Sequence, residues 1–560
     1  MTASDQPSVS RRQWVRRSAI WLGSIVVFLF CAELTVRLRA AGVPWGLPNS
    51  QHYFSYHPDE VFLLLPAFGF ADGDWNPHFF NYGTLYIYLV GIPAVLFDVV
   101  PEKSRFPDDL RALYEWGRMT SVCLGSATVL VLYLALRRFG RLVSWTSAFF
   151  LAICPLHVVH SSYATVDVAA TFWLAVAFLF ALYGAERPSL RRGAIAGMAV
   201  GLAAATKYNA GLFIVPAIVA PLLAPPRAWH RSWGLGVIGG ALLGFVLGCP
   251  FFWTPEFARG VLFEMRHAAR GGTLAFVDTG PGWWYHLTRG LPTGLGFPLL
   301  ASVVIGAVAA VRTPDRPARL SLCWALFYVA VIGFGKERFI RYLVPVTPFL
   351  AVLAAAAIAW LYRLPKRLVV RVSAAALLVV VASLTFVYVL VQAPEAAGTD
   401  HRTDAVWKAV VTDPRDRAWD EVRAALEDRS AQRRVGLVQS PWYYHPPVSP
   451  WNSGPLFRDR FEAWNQEAGR IVVTGWDAAR VTAEKPDFFF TCDLETADVL
   501  RLEKPEAVEV VEALWSTYAH QTVFERPPAR HTWLFPNRES APPDWLYRWP
   551  RVVLWSEPEG

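Results

Sequence analysis

Long apolar runs alternate with short basic loops as far as Gln392, and there the pattern stops. Runs at 18–36, 114–136, 142–158, 165–183, 233–250, 290–311, 319–335, 342–362 and 368–392 match the length a helix needs to cross a bilayer core. The stretch 193–225 differs. It is short for two ordinary spans, yet Arg191 and Arg192 precede it and Arg227 and Arg231 follow it. Basic flanks lie on the cytoplasmic side, so both ends belong there and the stretch predicts a hairpin with Thr206, Lys207, Tyr208 and Asn209 at its tip. The count is about eleven spans. One further apolar stretch, 84–97, is too short for a span and has no basic inner flank, so it reads as a helix lying along the outer surface.

This patterning divides the chain into a cytoplasmic basic N-terminus (1–17), a membrane region (18–392) with a first external loop at 40–110, and an extracytoplasmic soluble domain (393–560). The last carries charged helix-like stretches and short strand-like runs at Arg434–Val438, Ile471–Thr474, Asp487–Thr491 and Val508–Val511, which predict a small α/β domain. The fold class is thus a polytopic α-helical membrane protein with a C-terminal extracytoplasmic α/β domain.

Composition agrees: 54% of residues are hydrophobic and 18% charged, too little polar surface for a soluble chain of 560 residues. The net charge of +8 lies mostly in loops beside apolar runs, so it reads as membrane orientation and excludes a nucleic-acid partner. The six cysteines show no CxxC spacing, which argues against structural zinc and a disulfide framework. No internal repeat marks duplicated transporter halves.

The topology gathers candidate chemistry on the outer side. Asp59 and Glu60 open the first loop, and Asp167 lies in the second. Lys207 and Tyr208 occupy the hairpin tip. Glu264, Arg266, His267 and Arg270 follow in the loop 251–289, and Lys336, Glu337, Arg338 and Arg341 in the loop before the 342–362 run. A carboxylate takes the proton of an alcohol as it attacks, and cations stabilise a departing phosphate. Plainer roles stand beside these: a helix cap for Asp167, a snorkelling anchor for Arg341 or Lys207, and an interfacial belt for Trp283, Trp284 and Tyr285.

These residues resemble, in order, the motifs of the GT-C superfamily of membrane glycosyltransferases, in particular glycosyltransferase family 39, which includes protein O-mannosyltransferases and lipid A aminoarabinose transferases. The carriers are His57 to Glu60, Gly117 to Gly125, Pro155 to Asp167, Gly197 to Pro216 and Arg338 to Pro348. The resemblance covers about residues 15–392. It implies a GT-C-like fold and inverting transfer of a sugar from a polyprenyl-phosphate donor to an acceptor hydroxyl of a glycan, lipid or protein. The site would lie on the outer face of a bacterial cytoplasmic membrane. Asp59 would be the general base, with Glu60 and Asp167 as catalytic neighbours. Lys207, Arg270, Arg338 and Arg341 would hold the donor phosphate, and Tyr208 and Tyr342 the substrate. Asp167 and His267 would help hold a divalent cation. Where family members often carry a Lys-Pro pair before the juxtamembrane helix, this chain has Phe80, Asn81, Tyr82 and Gly83. The C-terminal region shows no β-trefoil match. A transporter or flippase for a lipid-linked substrate is the alternative; it would place its acids at mid-bilayer rather than in external loops.

Overall fold

The structure is a computed structural model. It describes residues 57–100, 110–223, 230–363, 433–438, 471–525, 541–548 and 550–557, with scattered positions elsewhere. The expected first span at 18–36 and last span at 368–392 lie mostly outside the described residues. Four described helices are long and apolar enough to cross a membrane: Ala112–Leu136, Val166–Glu186, Arg231–Gly248 and Ile340–Arg363. A bent pair, Gly282–Leu295 with Phe297–Arg312, is a fifth candidate, its halves meeting at 118°. Gly296 sits at the corner with φ 74°, a conformation that a side chain disfavours. Shorter helices cover Arg141–Ala152, Leu190–Thr206 and Arg316–Ile332.

The 193–225 stretch folds back as its flanking charges require. Leu190–Thr206 packs along Arg231–Gly248 with both running in the same direction, Gly193 against Trp233, Gly197 against Val237 and Gly201 against Ala241. The segment between them therefore returns, through the 3-10 turn Tyr208–Phe213 and the short helix Ile214–Val219. Trp233 Nε1 donates to Ala217 O on that return at 3.0 Å. The contact is backbone on backbone. A Cβ on Gly197 would overlap the Val237 carbonyl, and one on Gly240 the Ala194 carbonyl. Lipid offers no hydrophobic gain for helix pairing, so small residues and close approach take that role.

The first loop forms its own packed layer. Glu60–Leu64, Pro66–Ala71 and Leu85–Leu96, the helix formed by the 84–97 stretch, bury Val61, Leu64, Phe68, Phe70, Tyr86 and Val90 against Leu113, Tyr114, Ala164 and Val166.

The C-terminal region is an α/β domain on a five-stranded sheet in the order β2-β1-β3-β5-β4. The strands are β1 (Val435–Leu437), β2 (Ile471–Val473), β3 (Phe488–Cys492), β4 (His520–Phe524) and β5 (Val552–Ser556). β1 runs parallel to β2 and β3, and β5 antiparallel to β3 and β4. Phe489 and Trp555 pack with Val510 and Leu514. Phe490, Val552 and Leu554, with Trp545, join the core that continues into the membrane region.

One expectation is corrected. Val508–Val511 is not a strand but part of the helix Pro505–Thr517. Pro at the first turn suits a helix start, and Ala507, Val510 and Leu514 bury at helical spacing. The valine run hid that period.

Candidate active site

Asp59 sits immediately before the Glu60–Leu64 helix, where the loop turns into the packed layer. Its Oδ2 accepts a hydrogen bond from Tyr82 OH at 3.0 Å and lies 3.6 Å from Arg341 Nε and 3.9 Å from His57 Nδ1. The Asp59 backbone N–H donates to His57 Nδ1 at 3.2 Å, which makes that nitrogen an acceptor. Burial pushes the Asp59 carboxyl up, but Arg341, His57, the Tyr82 hydrogen bond and Lys207 outweigh it, and the net shift is downward. These groups therefore favour the charged carboxylate at Asp59.

Glu60 points the other way. Both its oxygens take charge-assisted bonds from Arg118, Nε at 2.8 Å and Nη2 at 2.8 Å, and Oε1 also accepts from Ala164 N at 2.9 Å. The pair is wholly buried. Glu60 thus ties the first loop to the Leu110–Leu136 helix.

Lys207 ends the Leu190–Thr206 helix and places Nζ 2.5 Å from Asp167 Oδ1. The ammonium lies 4.9 Å from the Tyr342 ring centre and 5.9 Å from that of Tyr82. Asp167 Oδ2 is buried without a hydrogen-bond partner among the described residues. Tyr208 OH donates to Phe80 O at 2.8 Å and Tyr82 O at 2.9 Å, so it holds the backbone that presents Tyr82 rather than facing the site itself.

Arg341 is buried between Asp59 and a carboxylate from the C-terminal domain, Asp544, whose Oδ2 lies 3.8 Å from Nη1. Nε and Nη1 make no hydrogen bond among the described residues. Arg338 does not line up with it. Its Nη1 binds Phe276 O at 3.0 Å and Thr279 Oγ1, stapling the loop 274–279. Arg270 is exposed at the end of the Pro255–Arg270 helix with no ion pair among the described residues. His267 faces Glu337 at 3.9 Å, while Asp167 is paired to Lys207. The cation ligand set proposed from sequence is therefore not assembled, and no group of three or more His, Cys, Asp or Glu side chains among the described residues forms a metal site.

Several site residues escaped the sequence reading. Tyr82 stands in the segment that departs from the family's Lys-Pro pair. Arg118 belongs to a segment noted only for its order in the chain. Asp544 and Tyr547 carry no local signal. Tyr547 takes a hydrogen bond from Arg341 and stands edge-on to His57, ring centres 5.3 Å apart. Glu264, by contrast, stood among the sequence candidates; on the Pro255–Arg270 helix it is raised to about 7 by burial, reinforced by Asp59 and Glu337 against Lys207 and Arg341.

The fold and site define a polytopic helical membrane protein with an ionised first-loop carboxylate set among cations and aromatic rings. The sequence model of the dolichyl-phosphate-mannose-protein mannosyltransferase family matches residues 115–253. An undecaprenyl phosphate-alpha-4-amino-4-deoxy-L-arabinose arabinosyl transferase of Pseudomonas aeruginosa is 26% identical over 349 residues, 60% of this chain and 61% of that protein. The chain thus spans about three fifths of the length of that relative. The lipid A galacturonosyltransferase RgtD of Rhizobium johnstonii is 32% identical over 144 residues, 25% of this chain and 29% of that one. The crystal structure of ArnT from Cupriavidus metallidurans bound to undecaprenyl phosphate superposes with a TM-score of 0.51 at 17% identity, covering 95% of this chain and 98% of that one. The superposition shows that the chain shares the fold of that membrane protein, and the sequence matches are to membrane glycosyltransferases.

Proposed function

We propose that the protein transfers a sugar from a polyprenyl-phosphate donor to an acceptor hydroxyl, with inversion, at the outer face of a bacterial cytoplasmic membrane. The observation that carries this is the setting of Asp59: ionised, held by the Tyr82 hydroxyl, and 3.6 Å from a buried guanidinium that has unused donors. A base next to an anion-binding group is what a displacement at a sugar phosphate requires. The acceptor oxygen bonds to the anomeric carbon as the carbon–oxygen bond to the phosphate breaks. The acceptor proton passes to Asp59, and the polyprenyl phosphate leaves with the bonding pair. One displacement inverts the anomeric centre.

Arg341 answers the charge gathering on the leaving phosphate with planar donors already freed of water. Lys207 lies close by, its charge balanced by Asp167 until an anion competes for it. The names of the similar transferases, which specify undecaprenyl-phosphate sugar and lipid A, favour this chemistry over transport. The test is to supply membranes containing the protein with radiolabelled polyprenyl-phosphate sugars of several kinds. Label should reach an acceptor with one of them and not in Asp59→Asn membranes. Absence of transfer with every donor, or full transfer by Asp59→Asn, overturns the reading. The orientation is tested separately. A periplasmic reporter fused after Gln392 should be active, and a cytoplasmic one silent.

A further inference from the structure

Phe339, which precedes the 3-10 turn Ile340–Val346, offers no side-chain cap, so the first N–H groups of that turn need partners from elsewhere. Asp544 supplies them. Its Oδ1 accepts from Ile340 N at 2.9 Å and its Oδ2 from Arg341 N at 3.0 Å. This is a cap delivered from 203 residues away, out of the turn Pro543–Arg548. That one turn reaches both flanks of Asp59. Tyr547 packs on His57 and receives a hydrogen bond from Arg341, and Asp544 stands beside the Arg341 guanidinium. With each Asp544 oxygen held by a backbone N–H, its carboxylate balances the guanidinium from a distance and does not close onto it. Arg341 therefore keeps Nε and Nη1 undonated while facing Asp59.

We propose that Asp544 is a positioning residue for the transfer reaction, and that through it the C-terminal domain completes the active site. It fixes the backbone of Ile340 and Arg341 and draws the guanidinium away from a closed ion pair with Asp59, leaving its donors for the phosphate of the lipid donor. The inference rests on the reading of Arg341 as a phosphate-binding group. An asparagine at 544 keeps one acceptor oxygen but loses the other half of the cap and the charge, which lets Arg341 collapse onto Asp59, removing the anion site and occupying the base together.

The experiment uses the full chain in nanodiscs, with Asp544→Asn, Arg341→Gln, the double variant and Tyr547→Phe. Donor KM, acceptor KM and the Kd for undecaprenyl phosphate are measured for each. Asp544→Asn should raise donor KM and the undecaprenyl phosphate Kd by about tenfold, the scale of one lost charge-assisted interaction, with acceptor KM unchanged. In the Arg341→Gln background the same change should add almost nothing, because the group it acts through is gone. A role confined to holding the domain in place would instead give independent, multiplying effects. If Arg341→Gln weakens lipid binding and Asp544→Asn does not, or if their effects multiply, the inference fails while the phosphate assignment stands. If Arg341→Gln itself leaves lipid binding unchanged, both fall. Should Asp544→Asn not fold, Tyr547→Phe decides: donor KM should rise severalfold at constant acceptor KM, and an unchanged donor KM overturns the proposal.

Discussion

Lys207 Nζ and Asp167 Oδ1 lie 2.5 Å apart in a setting almost closed to solvent, joining the end of one helix to the start of another. Each charge also suits its own helix: the ammonium faces the carbonyl end of Leu190–Thr206, and the carboxylate the N–H end of Val166–Glu186. The pair holds the return segment against the bundle beneath Tyr82 and Tyr342.

Breaking this pair from one side should cost more than removing it. Lys207→Met leaves Asp167 buried and unpaired, a loss of about 3–5 kcal/mol for such pairs. Lys207→Met with Asp167→Asn should recover most of that stability. If Lys207 also meets the donor phosphate, transfer stays impaired in the refolded double variant. Thermal unfolding in nanodiscs alongside turnover reads both quantities. Equal stability of single and double variants would show that the two charges are not coupled.

The pH dependence of stability should carry the mark of Glu264. Burial, with Asp59 and Glu337 adding to it against Lys207 and Arg341, raises its carboxyl from 4.5 to about 7. Between those values the folded state binds more protons than the unfolded one, so its stability falls as pH rises through that window. Below it Glu264 is neutral in both states and costs nothing. Glu264→Gln stays neutral throughout. Its unfolding midpoint should match wild type near pH 4.5 and exceed it increasingly up to about pH 8. A constant difference across this range would place the carboxyl's titration elsewhere.

The helix pair Leu190–Thr206 and Arg231–Gly248 offers a steric contrast within a single helix. Gly240 meets the backbone of Ala194, whereas Gly239, one position earlier, has open space around it. Gly240→Leu should separate the helices and lower the unfolding midpoint and yield sharply. Gly239→Ala should be neutral or slightly stabilising, because alanine restricts the unfolded chain more than glycine does. Similar behaviour of the two variants would remove the argument for backbone contact.

Much of the membrane region was legible because lipid imposes a one-dimensional rule. An apolar run such as 165–183 has no soluble alternative, and the basic flanks of 193–225 forced a return that the parallel packing of its neighbours displays. The 84–97 stretch, too short for a span, forms a separate helix at Leu85–Leu96. Asp59 drew notice as a member of a recognisable acid pair at the start of the loop. What the pair does was not legible, since sequence makes Asp59 and Glu60 look alike. Their difference lies in partners far along the chain: Arg118, 58 positions beyond Glu60, and Arg341 beside Asp59. Asp544 was hidden for the same reason, since a carboxylate that caps a turn in another domain leaves no periodicity to read. In the C-terminal α/β domain the Val508–Val511 run fitted strand and helix equally, and only packing of Val510 and Leu514 decided it.

Adjacent acids should then fail in opposite ways. Asp59→Asn keeps the side-chain shape and can still accept from Tyr82, and it removes a carboxylate whose charge Arg341 does not need for its fold, since Asp544 stands on its other side. Turnover should drop by about 10²-fold or more with the loss of the base, while the unfolding midpoint moves little. Glu60→Gln should do the reverse. It removes the charge from a fully buried bidentate pair and leaves the Arg118 guanidinium with a neutral partner, so it should destabilise by about 3–5 kcal/mol. Whatever Glu60→Gln protein does fold should retain a substantial share of turnover, because Glu60 faces Arg118 and Ala164 rather than Asp59's partners. Replacing Arg118 as well, with Met, should relieve the uncompensated charge and recover part of the stability. Unfolding midpoints and single-turnover rates, measured on the same nanodisc preparations, separate the two. A stable, inactive Glu60→Gln protein would return Glu60 to the chemistry, and an active Asp59→Asn protein would move the base to Asp167.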